Sequence, residues 1–154
     1  MALRNILKEG DPTLNKVCRP VTDFGPHLWQ LLDDMAETLS KADGVGLAAP
    51  QVGILRRVFI MDFGDGVTEA VNPEIVDRKG IQEEQEGCLS CPGEYGITRR
   101  PKKVKLKAQD RNGKWFYMNG EDLVARCICH ETDHLDGILF KDHVIRPYDP
   151  EKDA

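Results

Sequence analysis

The chain has 154 residues, of which 40% are hydrophobic and 31% charged, and its formal net charge at pH 7 is −5. This length suits a single core, so we predict one domain over residues 1–154. The acidic balance gives no sign of nucleic-acid binding or of attraction to an anionic membrane surface. Since no apolar run approaches the ~20 residues that span a bilayer, and the first residues lack a signal-peptide core, we expect a cytoplasmic protein with no membrane partner.

The N-terminal part of the chain is predicted to contain one helix and one clear strand. Apolar residues recur at spacings of three and four over residues 26–41, which indicates an amphipathic helix, and Gly44 ends it. The small, glycine-rich segment 44–51 follows and can approach a ligand closely. Residues 57–63 favour a strand, and the turn signal at 64–66 ends that strand.

Strands dominate the middle of the chain. Residues 70–79 are predicted to be extended. Residues 102–110 alternate basic and apolar side chains, which indicates a half-buried strand whose lysines form a solvated face. The turn at 111–113 joins it to a partner strand over 114–118, and we predict a break at 119–120. Strands with one helix near each end of the chain predict an α+β protein.

The C-terminal helix is predicted over residues 121–135, with acidic residues in its first turn, where the helix dipole favours them. It carries the most informative motif of the chain, H-E-x-x-H, at His130, Glu131 and His134. Because residues four apart lie on one helix face, the two imidazoles can hold one metal ion. The adjacent glutamate is close enough to handle the protons of a metal-bound water. The alternative is a pair of surface histidines on an amphipathic helix.

The third metal ligand lies outside this motif. An extended form of the motif places a third histidine where this chain has Phe140. Only 20 residues follow His134, and they include two prolines, which leaves little room for another ligand-bearing helix. His143 is the only histidine among them. An upstream ligand is therefore favoured, and Cys88, which follows Gly87, is the leading candidate.

The cysteine count allows other kinds of site. Because five cysteines are present and no secretion signal is visible, free thiols in a reducing compartment are expected. The Cys88-x-x-Cys91 pair could belong to a zinc knuckle or form a redox pair. Cys127 lies three residues before His130, so a closed site of two cysteines and two histidines is conceivable. Such a structural site would leave Glu131 without a task.

Three motifs in fixed order resemble those of the peptide deformylase family. The sequence matches G-x-G-x-A-A-x-Q at 44–51, E-G-C-L-S at 86–90 and H-E-x-D-H-x-x-G at 130–137. The resemblance extends from about Ile6 to Phe140. It implies an α+β fold in which antiparallel and mixed sheets surround a central C-terminal helix carrying the HExxH motif, with a second helix near the N-terminus.

The resemblance also implies a function. The chain would be a metal-dependent hydrolase that removes the formyl group from the N-formyl-methionine of nascent polypeptides and releases formate. Cys88, His130 and His134 would hold the metal, and Glu131 would activate a metal-bound water. Fe(II) is the implied ion, although these ligands also suit Zn, Ni and Co. Formyl-methionyl peptides and nascent chains would be its partners, and docking to the ribosome is left open.

Further residues take roles from the same resemblance. The side-chain amide of Gln51 and the backbone N–H of Leu89 would stabilise the developing negative oxygen. The residues expected to contact the substrate are Gly44, Val45, Gly46, Leu89, Cys127 and Arg100. For Arg100 an ion pair with Glu86 is an equally good prediction, and Asp133 would support the site from outside the ligand set.

Two other functions compete with deformylation. One is a metallopeptidase that cleaves internal peptide bonds, which the lack of a downstream third ligand disfavours. The other is a non-catalytic, metal-stabilised binding module, which would have a closed site with four protein ligands.

One residue departs from the family pattern. Cys91 stands where an aliphatic residue is usual, and this departure puts the role of Cys88 as a metal ligand in doubt under oxidising conditions.

Overall fold

The structure is a computed structural model that describes residues 2–153. The helices and strands, in chain order, are α1 (Pro26–Ala42), β1 (Gly46–Ala48), β2 (Val58–Asp62), β3 (Val67–Lys79), β4 (Gln82–Cys88), β5 (Cys91–Arg100), β6 (Lys103–Gln109), β7 (Trp115–Glu121), α2 (Leu123–Leu135), β8 (Val144–Pro147) and α3 (Pro150–Asp153). Short 3-10 helices lie at Pro12–Asn15, Ala49–Val52 and Phe140–His143. The predicted α+β class is confirmed.

The strands form two sheets, with the order β1-β2-β3-β6-β7 in the larger and β4-β5-β8 in the smaller. Every strand pairing within residues 2–153 is antiparallel. The only parallel pairing there is an isolated bridge between Arg19 and Arg56. Helix α2 contacts β1, β2, β6 and β7 of the larger sheet and β5 of the smaller one. It is therefore the central helix that the sequence predicted, with strands of both sheets around it.

Strand β2 explains how one sheet carries helices on both faces. Phe59 and Met61 point into a core shared with α2, whereas Val58 and Ile60 point into a second core against α1. All four side chains are fully buried. A strand covered on both faces has an apolar run without alternation, which is the pattern of residues 58–61. This two-sided packing fixes α2, and with it the HExxH motif, against the sheet.

The start of α2 differs from its prediction. Glu121 is the last residue of β7, and the helix begins at Leu123 with no acidic residue in its first turn. The predicted break at 119–120 is also wrong, because β7 runs through it. Gly120 explains the continuity, since a Cβ there would lie 2.9 Å from the Ile128 side chain of α2. The glycine lets strand and helix approach, and Asp122, at a φ of 54°, makes the sharp connection.

The other predicted elements are confirmed with small shifts at their ends. The hairpin of β6 and β7 turns at Gly113, whose φ of 84° lies in the left-handed region. On the outer face of this hairpin, Lys105 and Lys107 lie over the rings of Tyr117 and Trp115. No helix within the described residues is long and apolar enough to cross a membrane.

Candidate metal centre

The structure brings Cys88, His130 and His134 together. The two histidines lie one turn apart on α2, and their Nε2 atoms are 3.2 Å from each other. Cys88 ends β4, and its Sγ atom lies 3.4 Å from Nε2 of His134. The three donor atoms are all within 4.8 Å of one another. Residues far apart in sequence thus converge because the end of β4 lies beside His134 on α2.

The donor set fits a divalent transition metal. One sulfur and two imidazole nitrogens are ligands that suit zinc, iron(II), nickel and cobalt. A cation among the three atoms would satisfy all of them at once. Burial and the neighbouring His130 hold the pKa of His134 well below its usual range, so its ring stays neutral, as a metal ligand requires. Cys127 does not join this group, so the closed four-ligand alternative is not formed among residues 2–153.

A buried carboxylate orients the first histidine. Glu86 Oε2 accepts a hydrogen bond of 2.6 Å from Nδ1–H of His130, an assignment that leaves Nε2 free to bind a metal. Arg100 donates two hydrogen bonds to the same carboxylate, at 3.1 and 2.8 Å. Burial opposes ionisation of Glu86, but the hydrogen bonds from His130 and Arg100 outweigh it and lower its pKa to about 2. The carboxylate therefore stays charged at neutral pH and fixes the imidazole.

Arg100 does not contact the substrate cavity. Its side chain is only 4% exposed, and besides Glu86 it donates to Asp133 at 2.7 Å. The structural ion pair considered for this arginine is therefore the one observed, and the predicted substrate contact is corrected, because the guanidinium is held behind the metal ligands. Asp133 also lies 3.1 Å from Nε2 of His143. The Asp133 carboxylate is not part of the cluster of three donor atoms.

Replacing Glu86 by glutamine tests this support. We expect the variant to bind metal about 10–100-fold more weakly, the usual cost of losing such a partner. The pKa of Glu86 is lowered from 4.5 to about 2, so its stabilising effect is present above pH 4.5 and is lost as the pH falls toward 2. The shift corresponds to about 3 kcal/mol. Urea unfolding of metal-free protein across this pH range measures it.

Glu83→Gln is the matched control for that experiment. Glu83 lies on the same strand, but its pair with Arg99 is exposed at both side chains, so its loss should barely change stability. If Glu86→Gln kept both the metal affinity and the acid-dependent loss of stability of the unaltered protein, the supporting role of Glu86 would be wrong.

The Glu131 carboxylate is buried beside the three clustered donor atoms. Its Oε2 atom lies 4.0 Å from Nε2 of His130. Its Oε1 atom is buried and has no hydrogen-bond partner among the described residues. Burial, reinforced by the charge of Glu86, raises the pKa of Glu131 to about 7. A carboxyl group with a pKa near neutrality and an unpartnered oxygen can both accept and return a proton during a reaction.

Gln51 lies on the other side of the same centre. The 3-10 helix Ala49–Val52 holds it fully buried, and its Oε1 accepts a hydrogen bond from the Ala48 N–H at 2.9 Å. This bond fixes the orientation of the amide. Its Nε2 donates to Ser90 Oγ at 3.1 Å and lies 3.5 Å from Cys88 Sγ. A donor N–H is therefore held next to the metal ligands.

A cavity of about 460 Å³ opens onto these groups. Its wall includes the residues predicted to contact a substrate, apart from Arg100: Gly44, Val45, Gly46, Leu89 and Cys127. Sequence reasoning missed several other wall residues, among them Gln85, Tyr95 and Leu123. Leu123 lies one turn before Cys127 on α2, and that spacing could have identified it. Nothing in the local sequence marks Tyr95, which follows an irregularity in the pairing of β4 with β5.

Gly46 is the point of closest approach between the cavity wall and α2. A Cβ atom there would lie 2.5 Å from Oε2 of Glu131 and 2.7 Å from Sγ of Cys127. Both groups would have to move.

We expect Gly46→Ala to lower kcat more than it lowers metal content, since the added methyl displaces the carboxylate and not the ligands. Steady-state kinetics with metal analysis checks this, and Gly25→Ala, where the added Cβ would meet only the Asp23 side chain at 3.2 Å, controls for glycine substitution. An active Gly46→Ala variant would contradict it.

The site has the features of a mononuclear metallohydrolase: two histidines on a helix, a sulfur from a strand, a buried carboxylate and an open cavity.

Comparisons with known proteins identify the family. The family model for polypeptide deformylase matches residues 3–149. Over 152 residues the chain is 54% identical to a peptide deformylase of Caldanaerobacter subterraneus subsp. tengcongensis, which covers 99% of this chain and 96% of that protein.

Solved structures of peptide deformylases have a similar fold and a related sequence. The crystal structure of peptide deformylase from Thermotoga maritima has a TM-score of 0.91 and 41% identity, covering 94% of this chain and 99% of that one. The peptide deformylase from Synechococcus elongatus in complex with actinonin has a TM-score of 0.88 and 38% identity, covering 91% and 78%. The chain belongs to the peptide deformylase family, whose members are metalloenzymes that remove the N-formyl group from nascent peptides.

Proposed function

We propose that this chain removes the formyl group from N-formyl-methionyl peptides with a metal held by Cys88, His130 and His134. The observation that carries the proposal is the convergence of these three donor atoms beside Glu131, whose Oε1 has no partner among the described residues. Cys88, His130 and Glu131 line an open cavity. When bound, a divalent metal supplies a more acidic water and polarises the carbonyl under attack.

Glu131 is proposed to move the protons. Its buried carboxylate takes a proton from the attacking water and later gives it to the nitrogen of the departing amine, which leaves formate and a free N-terminus. A carboxylate in water would be too weak a base for this task at neutral pH. Burial raises the pKa of Glu131 to about 7, which matches the group to both halves of the reaction.

Gln51 and Leu89 are proposed to stabilise the formyl oxygen as it becomes negative. The Gln51 amide is held by Ala48, so its N–H does not have to reorganise during the reaction. Leu89 lies at the tip of the hairpin beside Cys88, where its backbone N–H would be the second donor. Losing one such donor typically costs about 2.7–4 kcal/mol of transition-state stabilisation.

The cavity is proposed to take the methionine side chain. Val45, Leu89 and Cys127 give it an apolar wall, which suits an unbranched thioether. Gly44 and Gly46 carry no side chains, so their backbone comes close to the reacting group. A Cβ at Gly44 would lie 2.9 Å from the Leu89 side chain. The tight approach favours the small formyl group over bulkier acyl groups.

Fe(II) is proposed as the native ion, with zinc, nickel and cobalt as substitutes that the same ligands accept. The resemblance to the family supports iron, and the sulfur ligand is compatible with it.

We also propose that residues 1–154 form one catalytic domain, of which Met1 and Ala154 lie outside the described residues. Its place of action would be the cytoplasm, where nascent chains leave the ribosome, and co-sedimentation with ribosomes tests docking there.

The test is formate release from a formyl-methionyl peptide by anaerobically purified protein, with metal analysis of the same sample. The proposal expects formate, an unformylated product and about one metal per chain. Actinonin, which is bound in the Synechococcus elongatus structure, should compete with the substrate. Cleavage of an internal bond in the unformylated peptide would instead favour the peptidase alternative. Bound metal without either reaction would favour a binding module.

A further inference from the structure

Two cysteines face each other across the hairpin that supplies the sulfur ligand. Cys88 ends β4, Cys91 begins β5, and the two are directly paired across the two-residue turn. Opposed residues on antiparallel strands point to the same face, with Cα atoms about 4.5–5.5 Å apart. Disulfides bridge Cα separations of about 4.4–6.8 Å. A Cys88–Cys91 disulfide therefore fits this hairpin without a large backbone movement.

The two thiols have different surroundings. Cys88 is half-buried and lies at the metal centre, where a small molecule can reach it through the cavity. Cys91 is 1% exposed, and its Sγ–H donates to Oε2 of Glu9 at 3.2 Å. The same oxygen is 2.6 Å from the ammonium group of Lys141, which holds the carboxylate in place. One thiol can meet an oxidant, while the other is shielded from solvent and held by a hydrogen bond.

Glu9, Cys91 and Glu94 do not form a second metal site. Lys141 pairs with both carboxylates, at 2.6 and 2.7 Å, so a cation already occupies the space between them. Burial, with the contact to Glu9, raises the pKa of Cys91 to about 12, so this sulfur stays protonated and is less reactive toward an oxidant than a thiolate would be. The arrangement suits a thiol that reacts second.

We propose that Cys88 and Cys91 form a reversible oxidation site, in which Cys88 reacts with a peroxide and Cys91 resolves the product. The consequence for the metal rests on the proposed role of Cys88 as a ligand. Neither the formation of the disulfide nor its detection depends on that role, because the pairing of Cys88 with Cys91 across the hairpin involves no metal.

The reaction balances with one hydrogen peroxide. The Cys88 thiolate attacks one peroxide oxygen, the O–O bond breaks, and hydroxide leaves while a sulfenic acid forms on Cys88. The Cys91 sulfur then attacks the Cys88 sulfur, an S–S bond forms and the S–O bond breaks. The proton of Cys91 leaves with the departing hydroxide as water. The two sulfurs lose two electrons, and the peroxide ends as one water and one hydroxide, which takes up a proton from the solvent.

The disulfide would weaken metal binding reversibly. A sulfur in a disulfide has no thiolate to offer, so only His130 and His134 would remain as ligands and metal affinity would fall. Without a resolving thiol, the sulfenic acid on Cys88 would proceed to irreversible sulfinic and sulfonic acids. A thiol reductant should restore the pair, and added metal should then rebind.

The test uses the zinc-loaded protein, since zinc undergoes no redox chemistry of its own. Dilute hydrogen peroxide is added, released zinc is measured with a chromogenic chelator, and the thiols are mapped by peptide mass spectrometry. We expect a linked Cys88–Cys91 peptide, zinc release in equal amount and recovery of both by a reductant. Cys91→Ser should instead accumulate sulfinic acid at Cys88 without recovery. Cys18→Ala, which changes a cysteine outside the hairpin, should behave as the unaltered protein.

Two failures are distinguishable. If the protein binds zinc but peroxide gives the same irreversible products in the unaltered chain and in Cys91→Ser, the oxidation site is wrong and the metal centre stands. If the protein binds no zinc before peroxide is added, the proposed metal centre fails, and mass mapping of the metal-free chain still decides whether the disulfide forms. A linked peptide joining Cys88 to a different cysteine would also overturn the proposal.

Discussion

Replacing Glu131 by glutamine lowers kcat by about two to four orders of magnitude, the usual contribution of a proton-transferring side chain, and leaves the metal bound. Glutamine has the same size and keeps a polar group in the buried space, so the ligands do not move. It cannot accept a proton, which removes the task that the raised pKa of Glu131 serves. Formate release and metal content are measured on the same preparation.

The control for this variant is Glu121→Gln, which removes one carboxylate from the exposed end of β7. It should keep both metal and turnover. A Glu131→Gln variant with full activity would contradict the assignment. A variant that lost its metal together with its activity would show instead that Glu131 holds the centre together, which is a structural role.

Replacing Cys88 by alanine removes the metal. Loss of a partner that only supports a ligand typically costs about 10–100-fold in metal affinity, so loss of a direct ligand should cost more than about 100-fold. His130 and His134 remain, but two imidazoles on one helix face leave half of the coordination sphere to water. Competition with a chelator of known affinity measures the loss, and formate release should fall in parallel.

Cys91→Ser is the matched control, since it changes a neighbouring sulfur of the same hairpin that lies outside the three donor atoms. It should bind metal as the unaltered chain does when oxidants are excluded. If Cys88→Ala kept its metal affinity while Cys91→Ser lost it, the third ligand would have been assigned to the wrong cysteine.

The sequence predicted the parts of the site that local patterns encode. The two histidines and Glu131 follow from helical spacing, and the motif order pointed to Cys88 before any geometry was known. The amphipathic pattern of α1 and the alternation in β6 gave those elements to within a residue or two. These features depend on neighbours along the chain, which is why a single sequence reveals them.

The parts that were missed depend on contacts between distant segments. The Glu86–Arg100–Asp133 network joins two strands and a helix. The ion pair of Arg100 with Glu86 was predicted, but no spacing identifies Asp133 as its second partner. The start of α2 was misplaced because Gly120 is read locally as a break, although its role is close packing against Ile128. Tyr95 reaches the cavity only because of an irregular pairing between β4 and β5.

X-ray absorption spectroscopy of the zinc-loaded protein tests the centre most directly. Coordination by Cys88, His130 and His134 predicts one sulfur at about 2.3 Å, two imidazole nitrogens at about 2.0–2.1 Å and one oxygen from solvent. The sulfur signal should vanish in Cys88→Ala. A spectrum with no sulfur, or with a second sulfur in place of the solvent oxygen, would contradict an open catalytic site built from these three residues.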